Sequence, residues 1–580
     1  MILKALYDYY YRSLQYNPDS LPRYGWMEAW ISFVIVIKKD GTFVRLEDLR
    51  DEKRNGTKYV LPYGVHTNSK TPFLFWDNCT YVLGYNLLDK TENKENQKNQ
   101  KHIDTVQEKH LSFVKQCEEV YECTKDDDLK SVVCFYKNNQ LALLKYDILW
   151  DEIKKNPNVY LTFRIEGETK IIASNPKLIN FVRIDAAEKG VCLITGEKTD
   201  IVRKIRPAPI PIKDCKSSAS LVTFQKDRGY DSYGKEQAYN APISVKAEFA
   251  FSTAFLKLIS KDSHNKFQLG NRLYVFWASS KHVADILISD VFLQILGLDK
   301  DDPNARIEEV KELFLSIYSG KVYIQKDDMF YILGIAPNSG RESIVYYTEL
   351  PLKKLAGTIL KHFEDMEIVD TRKDKKPYVG LHSILGGVTL GGKSSDVAPN
   401  LPDVVVKSIF QGLPYPASLF QACIRRIRAE QSVNIVRAAI IKAYLNRLND
   451  TNDKNIEVML DKENHNQGYL CGRLFAVLDK IQEDANGIHT IRERYMNSAS
   501  ATPAMVFATI LNLSTHHLEK LSAGGQIKYE KLKQEIISKL NANGFPAHLD
   551  LQDQGRFFVG YYHQRQDFFT GKEVKDTDEQ

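Results

Sequence analysis

Towards the end of the chain apolar residues return at helical spacing. Leu470, Leu474, Leu478, Ile481 and Ala485 recur at i, i+4 and i+7/8, which sets them on one face of a helix. Met505, Ala508, Leu511, Leu518 and Leu521 repeat the pattern, as do Tyr529, Leu532, Ile536, Ile537 and Leu540. Three amphipathic helices joined by short polar breaks must bury their apolar faces on one another or on a partner, so a helical bundle is expected here.

Upstream the pattern changes. Leu3, Leu6 and Tyr10 give a short helical face, and Ile31 to Ile37 is a continuous apolar run of strand length. Lys39-Asp40-Gly41-Thr42 reads as a hairpin turn with Gly41 at positive φ, and Phe43-Val44-Arg45-Leu46 as the returning strand. Residues 104–155 read as helix, then as strand around Val132-Val133-Cys134-Phe135-Tyr136, and residues 158–185 as alternating strands. Cys192 to Glu197 opens a long irregular segment, and Ser244 is placed to cap a helix beginning near Val245. Leu273 to Ala278, Phe330 to Ile335 and Ser343 to Tyr347 are further strands. The expected class is α+β, an irregular mixed α/β N-terminal region followed by a C-terminal α-helical bundle. The expected divisions are 1–190, N-terminal α/β; 191–395, central α/β with a basic loop; 396–458, a basic helical block; and 459–580, the bundle.

Composition adds bounds. A chain of 580 residues is too long for one core, and 43% hydrophobic with 26% charged residues is ordinary for a globular protein. A net charge of +5 argues against wholesale coating by nucleic acid but permits local basic surfaces. Met1 to Asp8 lacks the character of a signal peptide, and no run approaches the roughly 18 apolar residues of a membrane span. The eight cysteines are scattered without CxxC spacing, as for reduced thiols in a cytoplasmic protein.

Three stretches offer candidate chemistry. His66 to Pro72, leading into Phe73 to Gly84, is a loop of amides and hydroxyls closed by proline and aromatic residues. It suits hydrogen bonding to a polar partner, and equally an ordinary surface loop. From Arg203 to Gln237, basic residues (Arg203, Lys204, Arg206, Lys213, Lys216, Lys235) alternate with hydroxyls such as Ser217 and Ser218 and with tyrosines, which suits phosphates and exposed bases or a loop packed over a sheet. Lys407, Arg425, Arg426, Arg428, Arg437, Lys442 and Arg447 face only Asp403 and Glu430, making residues 401–447 the most basic helical region. An arginine face can grip phosphates, or be a solvated or ion-paired surface. Signatures of metalloproteases, serine hydrolases, dinucleotide binding and phosphate loops are missing, and Leu390-Gly391-Gly392-Lys393 lacks the required spacing. His516-His517 are adjacent, so a regular helix cannot turn both towards one metal. Asp126-Asp127-Asp128 is expected to be a solvated turn. No metal, cofactor or catalytic residue is expected.

Several blocks spread over the chain resemble one family. They are Met1 to Tyr10; Trp76-Asp77-Asn78 with Tyr81 to Gly84; Ser232 to Gln237 with Asn240-Ala241-Pro242; Pro337-Asn338 with Arg341; Gly412 to Pro416; Arg425-Arg426-Ile427-Arg428; Ile441-Lys442-Ala443; Gly472 to Ala476; Ser498 to Pro503; His516-His517-Leu518; and Gly560 to Gln564. They look like the large subunit of the type I-C CRISPR Cascade complex, the Csd family; Phe73 departs from the family pattern, where a small polar residue or Asn is common. The resemblance implies a non-catalytic subunit of an RNA-guided surveillance complex. Such a subunit reads the protospacer-adjacent motif on duplex DNA, helps open it, holds the displaced strand and docks the helicase-nuclease. Its implied partners are CRISPR RNA, target double-stranded DNA and its displaced strand, the backbone, guide-processing and small subunits, and the helicase-nuclease, with phage anti-CRISPR proteins as a further class. The resemblance also implies that the bundle is similar to a Cascade small subunit and is made separately from an internal start, for which Met459 precedes all three helices. Asn68, Ser69, Lys70 and Asn78 are then expected near the duplex. Lys216, Ser217, Ser218 and Lys235 are expected on nucleic acid, and Arg425, Arg426 and Arg428 on backbone phosphates. The alternatives are a nuclease subunit that processes nucleic acid and a scaffold that joins only proteins.

Overall fold

The computed structural model describes residues 2–64, 71–85, 97–182, 186–225, 229–230, 233–279, 307–321, 328–338, 341–372, 379–448 and 455–570. The chain forms two compact units, Met1–Pro209 with Cys215–Ser260 and Ser339–Glu342, and Ile210–Asp214 with Lys261–Asn338 and Ser343–Gln580. No described helix is long and apolar enough to cross a membrane. Strands concentrate in the N-terminal part and helices in the C-terminal part, so the α+β class holds.

The first unit begins with α1 (Ile2–Tyr16), which buries Ala5, Leu6 and Tyr10. There follow β1 (Trp26–Ile31), β2 (Phe33–Ile37), β3 (Phe43–Asp48), β4 (Thr57–Pro62), β5 (Trp76–Asn78), α2 (Cys79–Val82), α3 (Gln97–Thr124), α4 (Asp127–Lys137), α5 (Trp150–Lys155), β6 (Tyr160–Ile165), β7 (Ala186–Val191), β8 (Lys198–Val202) and α6 (Val245–Ile259). The apolar run at 31–37 has a simple cause. β2 is an inner strand of the sheet β3-β2-β6-β5, antiparallel to β3, parallel to β6, and buried along its whole length. Its residues share one core with Phe113, Val132, Phe135 and Phe163. The β2–β3 turn has Gly41 at φ +86°, where a Cβ would stand 2.5 Å from the Phe135 backbone nitrogen. Ser244 caps α6 by accepting the Ala247 N–H at 3.1 Å.

Four local expectations are corrected. Val132 to Tyr136 is not a strand but part of α4. Asp126, expected in a solvated turn, accepts the Asp128 and Leu129 N–H groups as the helix cap, and Leu129, Val132, Val133 and Phe135 are buried. Capping and burial together outweigh the strand preference of the β-branched pair. Beyond Ile165 the chain makes 3-10 turns at Ile172–Ser174 and Pro176–Phe181, the second capped by Asn175 and begun by a proline that has no N–H for a ladder. Cys192 to Glu197, expected to open an irregular segment, closes the β7–β8 hairpin at the Val191↔Lys198 pair.

The second unit contains β9 (Lys266–Leu269), β10 (Arg272–Ala278), α7 (Ile307–Ser319), β11 (Met329–Asn338) and most of β12 (Arg341–Pro351), with sheet order β12-β11-β10-β9. Helices α8 (Leu352–Met366), α9 (Leu381–Gly387), α10 (Leu401–Gln411), α11 (Ala417–Glu430), α12 (Ile435–Arg447), α13 (Gln467–Asn486), α14 (Thr490–Ala499), α15 (Pro503–Leu518), α16 (Ala523–Ile537) and α17 (Leu551–Thr570) follow. One apolar core runs from Phe267 and Phe276 on the sheet through Ile359, Phe410, Ile441 and Leu474 to Phe557. Sheet and helices thus exclude water together.

α13 is expected to be amphipathic, yet Gly468 to Asp479 are all buried, so it is an internal helix. Its partner α17 is buried from Gly555 to Gln564. The two meet backbone to backbone. A Cβ on Gly472 would stand 1.9 Å from the Phe557 carbonyl oxygen, one on Gly468 2.4 Å from that of Asp553, and one on Gly560 2.3 Å from that of Tyr469. α15 differs from its expected face. Pro503, Phe507, Ile510, Ser514 and Leu518 point inward and Met505 is 78% exposed, because Phe507 stacks on Phe545 at 4.6 Å. Gly472→Ala should lower the unfolding free energy by about 3 kcal/mol, since backbone cannot yield as a side chain does. Gly524→Ala on α16, with nothing within 4 Å of the added methyl, should instead raise it by about 0.5 kcal/mol. Urea denaturation of both variants checks the pair.

Candidate nucleic-acid interface

In the first unit, Asn68, Ser69 and Lys70 lie outside the described residues. The chain that follows them is tightly tied. Asp77 is fully buried and accepts the Phe73 N–H at 2.9 Å and the Asn78 N–H at 2.7 Å. Phe75 is fully buried at φ +62°, and its carbonyl accepts the Thr162 hydroxyl at 2.9 Å. A bulky residue in this left-handed conformation is strained and needs such fixing. Asn78 caps α2, its side-chain oxygen accepting the Thr80 N–H at 3.0 Å. That oxygen is therefore occupied within the fold.

The basic stretch of this unit divides by burial. Arg206 is buried, with its guanidinium 5.1 Å from the Tyr63 ring centre and 5.6 Å from that of Phe249, and it donates to the Thr253 hydroxyl at 3.0 Å. It is an internal cation fixed by aromatic faces. Lys216, Ser217 and Ser218 are exposed in a turn closed by the Ala219 N–H on the Lys216 carbonyl at 2.9 Å. Lys235 is exposed as well, and its carbonyl accepts the Asn240 side-chain amide at 3.2 Å. Backbone is fixed at both places while the cationic ends reach water.

In the second unit, the basic bias of residues 401–447 turns mostly inward. Arg437, Lys442 and Arg447 are buried. Arg437 donates to the Gly387 and Ser432 carbonyls at 3.0 and 3.1 Å, and Lys442 to those of Glu364 and Asp365 at 3.0 and 3.1 Å. Arg447 pairs with Asp365, donates to the Ser408 and Leu413 carbonyls, each at 2.7 Å, and lies 4.3 Å from the Tyr415 ring centre. Burial pushes the Asp365 carboxyl up despite Arg447, and pushes the Lys442 ammonium down despite Asp365.

Arg425, Arg426 and Arg428 do not form one grip. Arg426 is ion-paired with Glu430, which Arg437 also reaches at 2.5 Å. Burial opposes ionisation of Glu430, but the two guanidinium groups hold its carboxyl below the usual carboxylate range. Arg428 donates to Gln554 at 2.6 Å. Arg425 is exposed, with no side-chain partner among the described residues. Sequence reading missed Arg494, which is exposed on α14 and equally without a side-chain partner among the described residues. The Asn497 amide donates to the Arg428 carbonyl at 3.2 Å, bringing that turn of α14 against α11. No sequence signal links the two turns. If both arginines meet phosphates, Arg425→Ala and Arg494→Ala should each flatten the salt dependence of single-stranded DNA binding by about one unit. Melting temperature should not change. Arg428→Ala should instead lower stability by about 1 kcal/mol with the salt slope intact. Binding titrations across a salt series, with melts of each variant, test this.

Three of the described histidines, His362, His517 and His563, are hydrogen-bonded within the fold. His516 is exposed and His517 lies against Gln482 at 3.3 Å and Asn486 at 2.9 Å. His563 hydrogen-bonds the Tyr469 hydroxyl at 2.9 Å, and His362 that of Tyr415 at 2.6 Å. Among the described residues no group of His, Cys, Asp and Glu side chains is placed to hold a metal ion. Burial drives the pKa of His362 and of His563 down to about 3. Both are neutral when folded and gain protons below about pH 6.5 when unfolded. Their stabilisation is complete above that pH and is lost as pH falls towards 3, at roughly 1.4 kcal/mol per pH unit for each histidine. Urea midpoints should therefore fall between pH 7 and 5, and His563→Gln should flatten the trend by one proton.

A family model described as CRISPR-associated protein (Cas_Csd1) matches residues 6–569. No curated protein matches the chain.

Proposed function

The chain belongs to the CRISPR-associated Cas_Csd1 family, and we propose that it is the non-catalytic large subunit of a type I-C RNA-guided DNA surveillance complex. In this reading, guide pairing reads the target sequence, while this subunit reads the short flanking motif, helps open the duplex, holds the displaced strand and recruits the helicase-nuclease. Its partners are the guide RNA, the target DNA and the other Cascade subunits, in the cytoplasm.

The observation that carries the reading is the family match across residues 6–569, which covers both units. Surface chemistry supports it more locally. Lys216, Lys235, Arg425 and Arg494 are exposed, whereas Arg206, Arg437, Lys442 and Arg447 are buried and hold the fold. Phosphates reward cations that reach solvent, since counterion release supplies most of the binding energy.

The deciding experiment compares the reconstituted complex with and without this chain on duplexes that differ only in their flanking bases. Discrimination of about tenfold or more that appears only with the chain is the expected result, in line with the roughly 1–3 kcal/mol per base of direct readout. Equal binding with and without the chain would sink the motif-reading role.

A further inference from the structure

The segment between α4 and α5 takes no part in the surfaces described above. It forms a 3-10 turn over Gln140–Tyr146 and is fastened to the edge strand β3 at two points. Gln140 accepts the Phe43 N–H at 3.1 Å, and Asp147 accepts the Leu46 N–H at 2.9 Å. Asp147 also accepts the Leu149 N–H at 2.9 Å, and Leu144 beneath it is fully buried. The turn is thus held by its own base. On that base Leu143 is 43%, Tyr146 87% and Ile148 91% exposed. Among the large apolar side chains of the described residues, only Tyr233 is more exposed than Ile148 and Tyr146. Residues three apart eclipse in a 3-10 helix, so Leu143 and Tyr146 share one side.

Tyr146 and Ile148 stand almost wholly clear of the fold, and Leu143 is partly covered by it. Gln140 and Asp147 satisfy the β3 edge whatever stands at 143, 146 and 148. A lone exposed leucine is unremarkable, but Leu, Tyr and Ile all exposed on one tied-down turn have the make-up of a protein contact. The surrounding charges narrow the partner. Lys154 pairs with Asp151, Lys155 and Arg50 with Glu152, and Lys137 with Glu118. Lys145, exposed within the turn, has no side-chain partner among the described residues.

We infer that the 143–148 turn is a docking knob for another protein subunit of the CRISPR-associated complex, one offering an apolar pocket with a carboxylate at its rim. This rests on the reading above that the chain is a subunit of such a complex. A nucleic-acid strand fits less well, because its phosphates would meet one lysine beside two aliphatic side chains.

In the test, the full-length chain is titrated against the remaining subunits co-purified with guide RNA, and its melting temperature is recorded. Tyr146→Ser/Ile148→Ser should melt as the wild type does and bind at least about tenfold more weakly. Lys145→Glu alone should weaken binding several-fold, and the contribution of the apolar pair should hold from low to high salt. A lowered melting temperature in the double variant overturns the knob, because it means the side chains serve the fold. Loss of binding in the double variant only at low salt overturns it in favour of an RNA contact. Equal binding by wild type and double variant overturns the knob alone, whereas no binding by the wild type overturns the subunit reading and the knob with it.

Discussion

Backbone contact between α13 and α17 sets the geometry of the second unit. With the Phe557, Asp553 and Tyr469 carbonyls where Cβ atoms on Gly472, Gly468 and Gly560 would stand, the helices approach as closely as their main chains allow. The contact is buried, so its polar side chains take their partners from inside the fold. Arg473, wholly buried, donates to Gln564 and to Glu535, each at 3.1 Å. Tyr561 donates to Asp479 at 2.9 Å, and Arg565 pairs with Glu483 at 2.6 Å. The Gly560 to Gln564 block is thereby explained by packing and internal hydrogen bonding.

The same accounting governs α12. A helix leaves the carbonyls of its last turn without partners, and cations near that end are favoured. Lys442 serves the last turn of α8 through the Glu364 and Asp365 carbonyls, and Arg447 serves the end of α10 through Ser408. These cations close helix ends inside the core. A phosphate could reach them only by dismantling those bonds, which is why the charge bias of residues 401–447 overstates the basic surface.

What remains for partners is the set of side chains the fold does not need. Arg425 and Arg494 in one unit, and Lys216, Lys235 and the Leu143–Tyr146–Ile148 cluster in the other, are exposed on backbone that is itself well fixed. Fixed backbone under free side chains lowers the entropy lost on binding, for a phosphate or for an apolar pocket alike. Membership of a family of CRISPR-associated proteins gives these surfaces a setting in a multi-subunit complex.

The sequence by itself determined the local elements whose signals were one-dimensional. The β2–β3 hairpin with its glycine, the Ser244 cap, the strands β10 to β12 and the helical character of the C-terminal part were legible because period, turn residues and caps act over a few neighbours. It also carried enough spread-out blocks to show the family. Tertiary structure alone decided that α13 is internal, that Met505 faces out, and that Arg428 is engaged while Arg425 is not. Each of those depends on a neighbour distant in the chain, such as Phe545, Gln554 or α17. Periodicity tells which residues share a face, but whether that face meets water or a carbonyl is settled only when the elements pack.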